Sequence, residues 1–330
     1  MRFAARADNL SRVVTSFRNR ALALCLAVLS GAGISFFSKA QAQALPVCTL
    51  SIFGTADWHG NFSVDAEGRG GLAALYTLTR RKAQLLKDDC GGVILVHAGN
   101  FSGASNESDF EKSLIRSGIN LVSELKFDGL GLDAPEIAFA SSSKNPDLRN
   151  IPWISFDLRR QERGRSFILT GRKNLRVFLT SLTGAGTAEY DGDALSRLLP
   201  ELSHRGDQDA VVLLLNRAQT SLLDSQDFYG KIATGEEGRS PVSHVQAQRW
   251  RDLNRLLILE GGARNDSYYR LTSGAHVCRL RGRHVCLVEW KYRSHELIQS
   301  QQSFIDLNGS SSPEAWVEPE RSLMNLLPWK

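Results

Sequence analysis

The sequence predicts an α/β fold, and three observations carry that prediction. Short apolar runs end in polar or glycine-rich loops at 48–57 (CTLSIFGTAD), 91–100 (GGVILVHAGN), 209–219 (DAVVLLLNRAQ) and 256–265 (LLILEGGARN). Segments with apolar residues at helical spacing fall between such runs, at 70–87 and 109–126. The resulting order of strand, helix, strand, helix, strand is that of a right-handed α/β sheet.

Taken along the chain, 48–57 is a buried strand, and a helix over 70–87 begins after Gly70-Gly71. A second buried strand occupies 91–100. The stretch 109–126 is amphipathic, with Leu114, Leu121 and Leu125 on one face, and 127–136 is a short strand with its exit loop. Strands are predicted at 151–158, 166–172 and 175–184, a helix at 193–203, and a strand then loop at 209–219. A helix at 240–256 and a strand then loop at 256–265 follow. The alternating stretch 276–293 (HVCRLRGRHVCLVEWKYR) is predicted to be a hairpin turning at Gly282.

Composition bounds the rest. Of 330 residues, 42% are hydrophobic and 23% charged, so a core of ordinary size can form. Residues 1–44 stand apart. Arg2, Arg6, Arg12, Arg18 and Arg20 precede an apolar run from Ala21 to Phe37, and Ala40-Gln41-Ala42-Gln43-Ala44 closes the segment. That is the pattern of a secretory signal peptide, predicted to be cleaved after Ala42 or Ala44. The alternative is a membrane anchor, but the run is about 17 residues, at the lower limit of a span. The leader holds six basic residues and one acidic. Removing them from 40 and 35 leaves 34 of each, so the high pI belongs to the leader and gives no ground for nucleic-acid binding. The expected location is periplasmic or secreted, with no membrane span after cleavage. The main domain is expected over 45–307 and a tail over 308–330. That tail ends in Leu323, Met324, Leu326, Leu327 and Trp329, and reads as packing on its own domain, with docking of a periplasmic protein partner as the alternative.

Four cysteines remain beyond the leader: Cys48, Cys90, Cys278 and Cys286. An even number in an exported chain implies two disulfides. A hairpin at 276–293 would set Cys278 opposite Cys286, so the expected pairs are Cys278–Cys286 and Cys48–Cys90.

Ligands of α/β folds bind on the loops leaving the strands. In the first such loop, Asp57 and His59 lie two apart in GTADWHGNF, a spacing at which a carboxylate and an imidazole can share one divalent ion. Alone, such a pair is more often a capping or hydrogen-bonded one. His97 precedes Gly99-Asn100 at a strand end and reads as structural. His276 and His284 could pair across strands, but solvent exposure is the stronger expectation for both.

The order of the loops is more specific. TADWHGNF, GGLAALYTL, VILVHAGNFSGAS, KFDGLGLDAPEIAF, DAVVLLLNRA and LLILEGGARN resemble, in sequence, the blocks of the calcineurin-like metallophosphoesterases, above all the periplasmic 5′-nucleotidase branch. Those blocks are Asp-x-His-Gly, a Gly-Gly helix start, Gly-Asp, Gly-Asn-His-Glu, a His after a buried strand, and Gly-His-x-His. The resemblance covers about 48–293 and implies a sandwich of two mixed sheets flanked by helices.

The departures from the pattern fall on the ligands. The bridging Asp of the family corresponds to Asn100, its Asn and His to Ala134 and Pro135, its later His to Asn216, and its His-x-His to Ala263 and Asn265. Asp57 and His59 are retained, and Glu136 remains as a neighbour. The implied ligand site is therefore Asp57, His59, Asn100, Glu136, Asn216 and Asn265. Asp57, His59 and Asn100 are the metal candidates, for a single divalent cation such as Ca²⁺ or Mg²⁺ at most; otherwise no cofactor is expected. The resemblance implies an exported metallophosphoesterase-like protein, catalytically impaired or inactive, acting in binding or as a scaffold. The alternative is an active divergent metal-dependent hydrolase of phosphate or sulfur esters. The family's C-terminal nucleotide-binding domain finds no counterpart after 293, which argues against a nucleotidase.

Overall fold

Side chains of β1 (Val47–Thr55) alternate between two cores, and that alternation makes the architecture layered. The computed structural model describes residues 45–60, 71–101, 125–132, 136, 151–154, 167–173, 175–183, 209–216, 253–262, 266–270, 274–282 and 284–307. Leu50 and Ile52 of β1, with Ile94, Val96 and Ala98 of β2 (Gly92–Ala98), pack against Val177, Leu179, Val212, Leu214, Leu257 and Leu259 of a second sheet. Phe53 and Leu95 point the other way and meet Leu72, Ala73 and Leu75 of α1 (Gly71–Leu85). Each fully buried aliphatic or aromatic side chain contributes roughly 1.5–3 kcal/mol. Helix on sheet and sheet on sheet are therefore both set by period-two patterning.

The first sheet runs β12 (Glu296–Asp306), β11 (His284–Arg293), β1, β2, β3 (Gly129–Gly131), β4 (Trp153–Ile154). The second runs β5 (Phe167–Arg172), β6 (Leu175–Thr183), β7 (Ala210–Asn216), β8 (Leu256–Gly261), β10 (His276–Arg279), β9 (Ser267–Arg270). Strands β1 to β4 pair in parallel, while β11 and β12 are antiparallel additions. In the second sheet β6, β7, β8 and β10 are parallel, flanked by antiparallel β5 and β9. Two mixed sheets were the expected fold class, and two mixed sheets form.

The starting ends of the parallel strands share one device. An aspartate just before a strand accepts a backbone N–H from the neighbouring strand. Asp89 takes Thr49 N at 2.8 Å, Asp128 takes Leu95 N at 2.9 Å, and Asp209 takes Arg176 N at 2.8 Å. Each satisfies a donor that the parallel ladder leaves over at its edge, and so helps to fix register. The opposite, carboxyl ends of the strands are left for loops.

The predicted hairpin at 276–293 does not form. β10 belongs to the second sheet and β11 to the first, with Arg281 and Gly282 in the connection between them. Gly282 adopts φ 67°, a left-handed turn that glycine takes freely. Alternating character at 276–279 and 284–293 had two possible partners; burial against different sheets proved stronger than pairing with each other. The hairpin that does form is β11–β12. Arg293 faces Glu296, and Ser294 and His295 both have positive φ, the mark of a two-residue type I′ turn. His276 is correspondingly not exposed. It is 3% accessible, hydrogen-bonded through Nδ1 to Gln302 Oε1 at 2.9 Å, and set edge-on to Trp290. His284 is half-buried, with Nδ1 2.8 Å from Asp266 Oδ2.

The disulfides are Cys48–Cys90 and Cys278–Cys286. The expected pairs are the ones found, but Cys278–Cys286 joins the two sheets rather than two strands of a hairpin. Replacing each pair by serines tests how the crosslinks act. Loop-closure entropy predicts a loss of about 4 kcal/mol for the separation of 42 residues and about 2.5 kcal/mol for that of 8. Urea midpoints of the two double variants measure this, and the reverse order would show that closure entropy is not the dominant cause.

The candidate helix at 193–203, the leader at 1–44 and the tail at 308–330 lie outside the described residues, as do the helices at 109–126 and 240–256 except for their ends. Among the described residues no helix is long and apolar enough to cross a membrane.

Candidate functional site

The exit loops of β1 and β2 run side by side because their strands are parallel neighbours. Asp57 N donates to Gly99 O at 3.2 Å, His59 N to Asn100 O at 3.2 Å, and Gly60 N to Phe101 O at 3.0 Å. Trp58 and Phe101 are buried in the cluster under α1 and anchor both loops from the side away from the site. With those anchors in place, Asp57, His59 and Asn100 take left-handed backbone conformations, at φ 53°, 50° and 55°. Asp, Asn and His are the non-glycine residues that enter this region most readily. Even so, each such conformation costs on the order of 1 kcal/mol or more and persists when surrounding contacts hold it.

The three side chains meet. Asn100 Nδ2 lies 3.3 Å from Asp57 Oδ1 and 3.1–3.2 Å from the ring nitrogens of His59. An ionised carboxylate only accepts hydrogen bonds, so the amide nitrogen, not its oxygen, faces Asp57. The second sheet closes the site from its own carboxyl edge, where Gly262 N donates to Asp57 Oδ2. A Cβ at Gly261 would stand 3.0 Å from Ala98 O and 3.2 Å from Asp57 Oδ1, so glycine eases the close approach where β8 meets the first sheet. Asp57 and Asn100 are buried, and His59 is exposed. Burial pushes the Asp57 carboxyl above the usual carboxylate range. The Gly262 N–H, His59, the Asn100 amide and the Arg281 charge each pull it back down.

Behind this trio, His97 is fully buried. Its Nδ1 lies 2.9 Å from Thr55 Oγ1, and its ring stands edge-on to Phe101 and Phe127. The Thr55 hydroxyl donates to Val96 O, so the imidazole N–H is the donor to Thr55. Burial lowers the His97 pKa from 6.5 to about 3, against a raising contribution from the Gly99 backbone. His97 is thus a neutral prop for the loop that carries Asn100.

The remaining expected residues stand differently. Glu136 is fully buried. Asn216 ends β7, and its side chain lies outside what is described, as do Ala134, Pro135, Ala263 and Asn265. Sequence reasoning missed the Gly262 N–H and Arg281. The Gly261-Gly262 pair after a buried strand was a signal of close approach. Arg281 carried none, because it reaches Asp57 only through the crossing from β10 to β11.

The donors present can be tested against the cations that the fold implies. Two dications about 3.5–4 Å apart need anionic bridging and several strong ligands. Here one carboxylate, one imidazole and one neutral amide converge, and both Asp57 oxygens already accept N–H bonds. Among the described residues no three His, Cys, Asp or Glu side chains come together in a way that could hold a metal ion. The described donor set does not fit a two-metal centre.

No protein-family model matches the chain. A 5′-nucleotidase from Vibrio cholerae is 23% identical over 250 residues, 71% of this chain and 43% of that protein. The chain thus spans less than half the length of this curated relative. The crystal structure of the calcineurin-like phosphoesterase YfkN from Bacillus subtilis superposes with a TM-score of 0.52 at 14% identity, covering 82% of this chain and 95% of that one. A 5′-nucleotidase precursor from Thermus thermophilus superposes at 0.51 and 14% identity, over 84% of this chain and 57% of that one. The chain has the fold of the calcineurin-like phosphoesterases and 5′-nucleotidases.

Proposed function

We propose that this chain is an exported protein of metallophosphoesterase fold in which ester hydrolysis is impaired, and that it serves as a periplasmic binding or scaffold protein. Export rests on the basic leader, the apolar run and Ala42-Gln43-Ala44. Impairment rests on one observation: among the described residues, the loops that form the site bring together a single carboxylate, one imidazole and an amide. That set supplies one negative charge where a two-cation mechanism needs several.

The alternative reading is an active metal-dependent hydrolase of phosphate or sulfur esters that holds a pair of divalent ions with Asp57, His59 and amide ligands. It is favoured by the left-handed backbone at Asp57, His59 and Asn100, since strain of this kind gathers at working sites. One assay separates the two. Purified protein with Mn²⁺ and p-nitrophenyl phosphate or its bis-ester is expected to show kcat/KM below about 10 M⁻¹s⁻¹, against the roughly 10⁴–10⁸ M⁻¹s⁻¹ of ordinary enzymes. Elemental analysis is expected to give no more than one ion per chain. Brisk Mn²⁺-dependent cleavage that Asp57→Ala abolishes would overturn the proposal.

A further inference from the structure

The structure assigns to the Asn100 amide the place of a cation: its N–H groups clasp Asp57 and His59 together, and this trio is held without metal. This deepens the functional reading above and rests on it. The geometry is direct. One nitrogen, Asn100 Nδ2, lies within hydrogen-bond reach of the carboxylate at 3.3 Å and of the imidazole at 3.1–3.2 Å. An amide nitrogen carries two hydrogens, one for the carboxylate and one for whichever ring nitrogen of a neutral His59 is unprotonated. The second carboxylate oxygen is taken by the Gly262 N–H from the other sheet. Three segments, after β1, β2 and β8, are thereby held at one point by hydrogen bonds alone. Each Asp57 oxygen thus already has an N–H against one of its lone pairs, and a divalent cation would have to compete with both bonds for the carboxylate.

The clasp has a definite consequence for stability. Wild-type melting is expected to be indifferent to metal, because nothing in the trio waits for an ion. Asn100→Asp reverses this. It would put a second carboxylate about 3.3 Å from the first, an arrangement in which like charges repel until a cation or a proton joins them. Two carboxylates and an imidazole form an oxygen and nitrogen donor set that suits Mn²⁺.

The test is thermal unfolding of the purified protein in EDTA and in excess MnCl₂. Wild type is expected to shift by less than about 1 °C, whereas Asn100→Asp is expected to melt low in EDTA and to rise by roughly 5–10 °C at a hundredfold excess of Mn²⁺ over its Kd. If Asn100→Asp does not fold alone, its refolding yield with and without Mn²⁺ takes the place of the melt; recovery supports the clasp and lack of recovery overturns it. Asn100→Ala removes both donors without adding charge. It is expected to melt roughly 3–8 °C lower, with no recovery in Mn²⁺. A wild type that Mn²⁺ stabilises, a folded Asn100→Asp that ignores it, or an Asn100→Ala as stable as wild type would each overturn the assignment. Ester cleavage plays no part in this readout. A wild type that hydrolyses esters yet melts independently of Mn²⁺ would sink the functional reading and leave the clasp standing.

Discussion

Gly91→Ala is expected to destabilise the protein by on the order of 4 kcal/mol or more, enough to leave little folded chain at 37 °C. Gly91 sits just before β2, where the chain crosses the backbone of Thr49. A methyl group there would overlap the Thr49 carbonyl and stand 2.8 Å from Thr49 N. The obstacle is main chain, so no side-chain rotamer relieves it, and β1 and β2 would have to part. Three bonds oppose that. Asp89 Oδ1 accepts from both Thr49 N, at 2.8 Å, and Gly91 N, at 2.7 Å, and the Cys48–Cys90 disulfide ties the adjacent residues with Cα atoms 4.7 Å apart. Gly282→Ala is the control. Its added Cβ would meet Asp57 O at an ordinary 3.6 Å, so only the positive φ is penalised, by about 1 kcal/mol. Urea unfolding of both variants measures the contrast. Equal midpoints would mean that β1 and β2 are not packed as closely as the structure has them.

The second large effect is with acid. His97 binds a proton at about 3 in the folded chain and at 6.5 when free of it. Above pH 6.5 neither state is protonated, and the full stability is present. As the pH falls through 6.5 the unfolded chain takes up a proton that the folded one refuses. Stability then declines by about 1.4 kcal/mol per pH unit, until the folded state protonates near 3. At pH 4.5 the loss from this one residue is on the order of 3 kcal/mol. Buried His276, lowered mainly by desolvation, adds to the loss in the same direction. His97→Phe keeps an aromatic ring beside Phe101 and Phe127, and the Thr55 hydroxyl keeps Val96 O as its acceptor. The variant is expected to lose much of the acid slope even if it is less stable at pH 7. Parallel stability curves for wild type and His97→Phe between pH 4 and 7 would show that His97 is not the group responsible.

Legibility along this chain follows a physical rule. β2 and β8 were readable because a strand buried on both faces is a continuous apolar run, as in VILV (93–96) and LLIL (256–259). β12 was not. Its sequence, ELIQSQQSFID, is mostly polar, and it becomes a strand because β11 offers an edge and Ser294-His295 turns the chain back. β9, with half-buried and exposed residues only, was missed for the same reason. At the site, Asp57 and His59 were visible as a pair and Asn100 as the polar residue closing a strand. Their mutual contact was not, because it depends on two loops 41–43 residues apart running in register.

Residue type and local order were enough to place the buried strands and the loops that leave them, and to show that four cysteines would form two crosslinks. A linear chain already contains that information. It does not contain the parting of β10 from β11, the joining of the two sheets by Cys278–Cys286 that results, or the enclosure of Asp57 by Asn100 and Gly262 together. Each of these depends on which surfaces bury against which, a competition settled by packing between segments far apart in the chain.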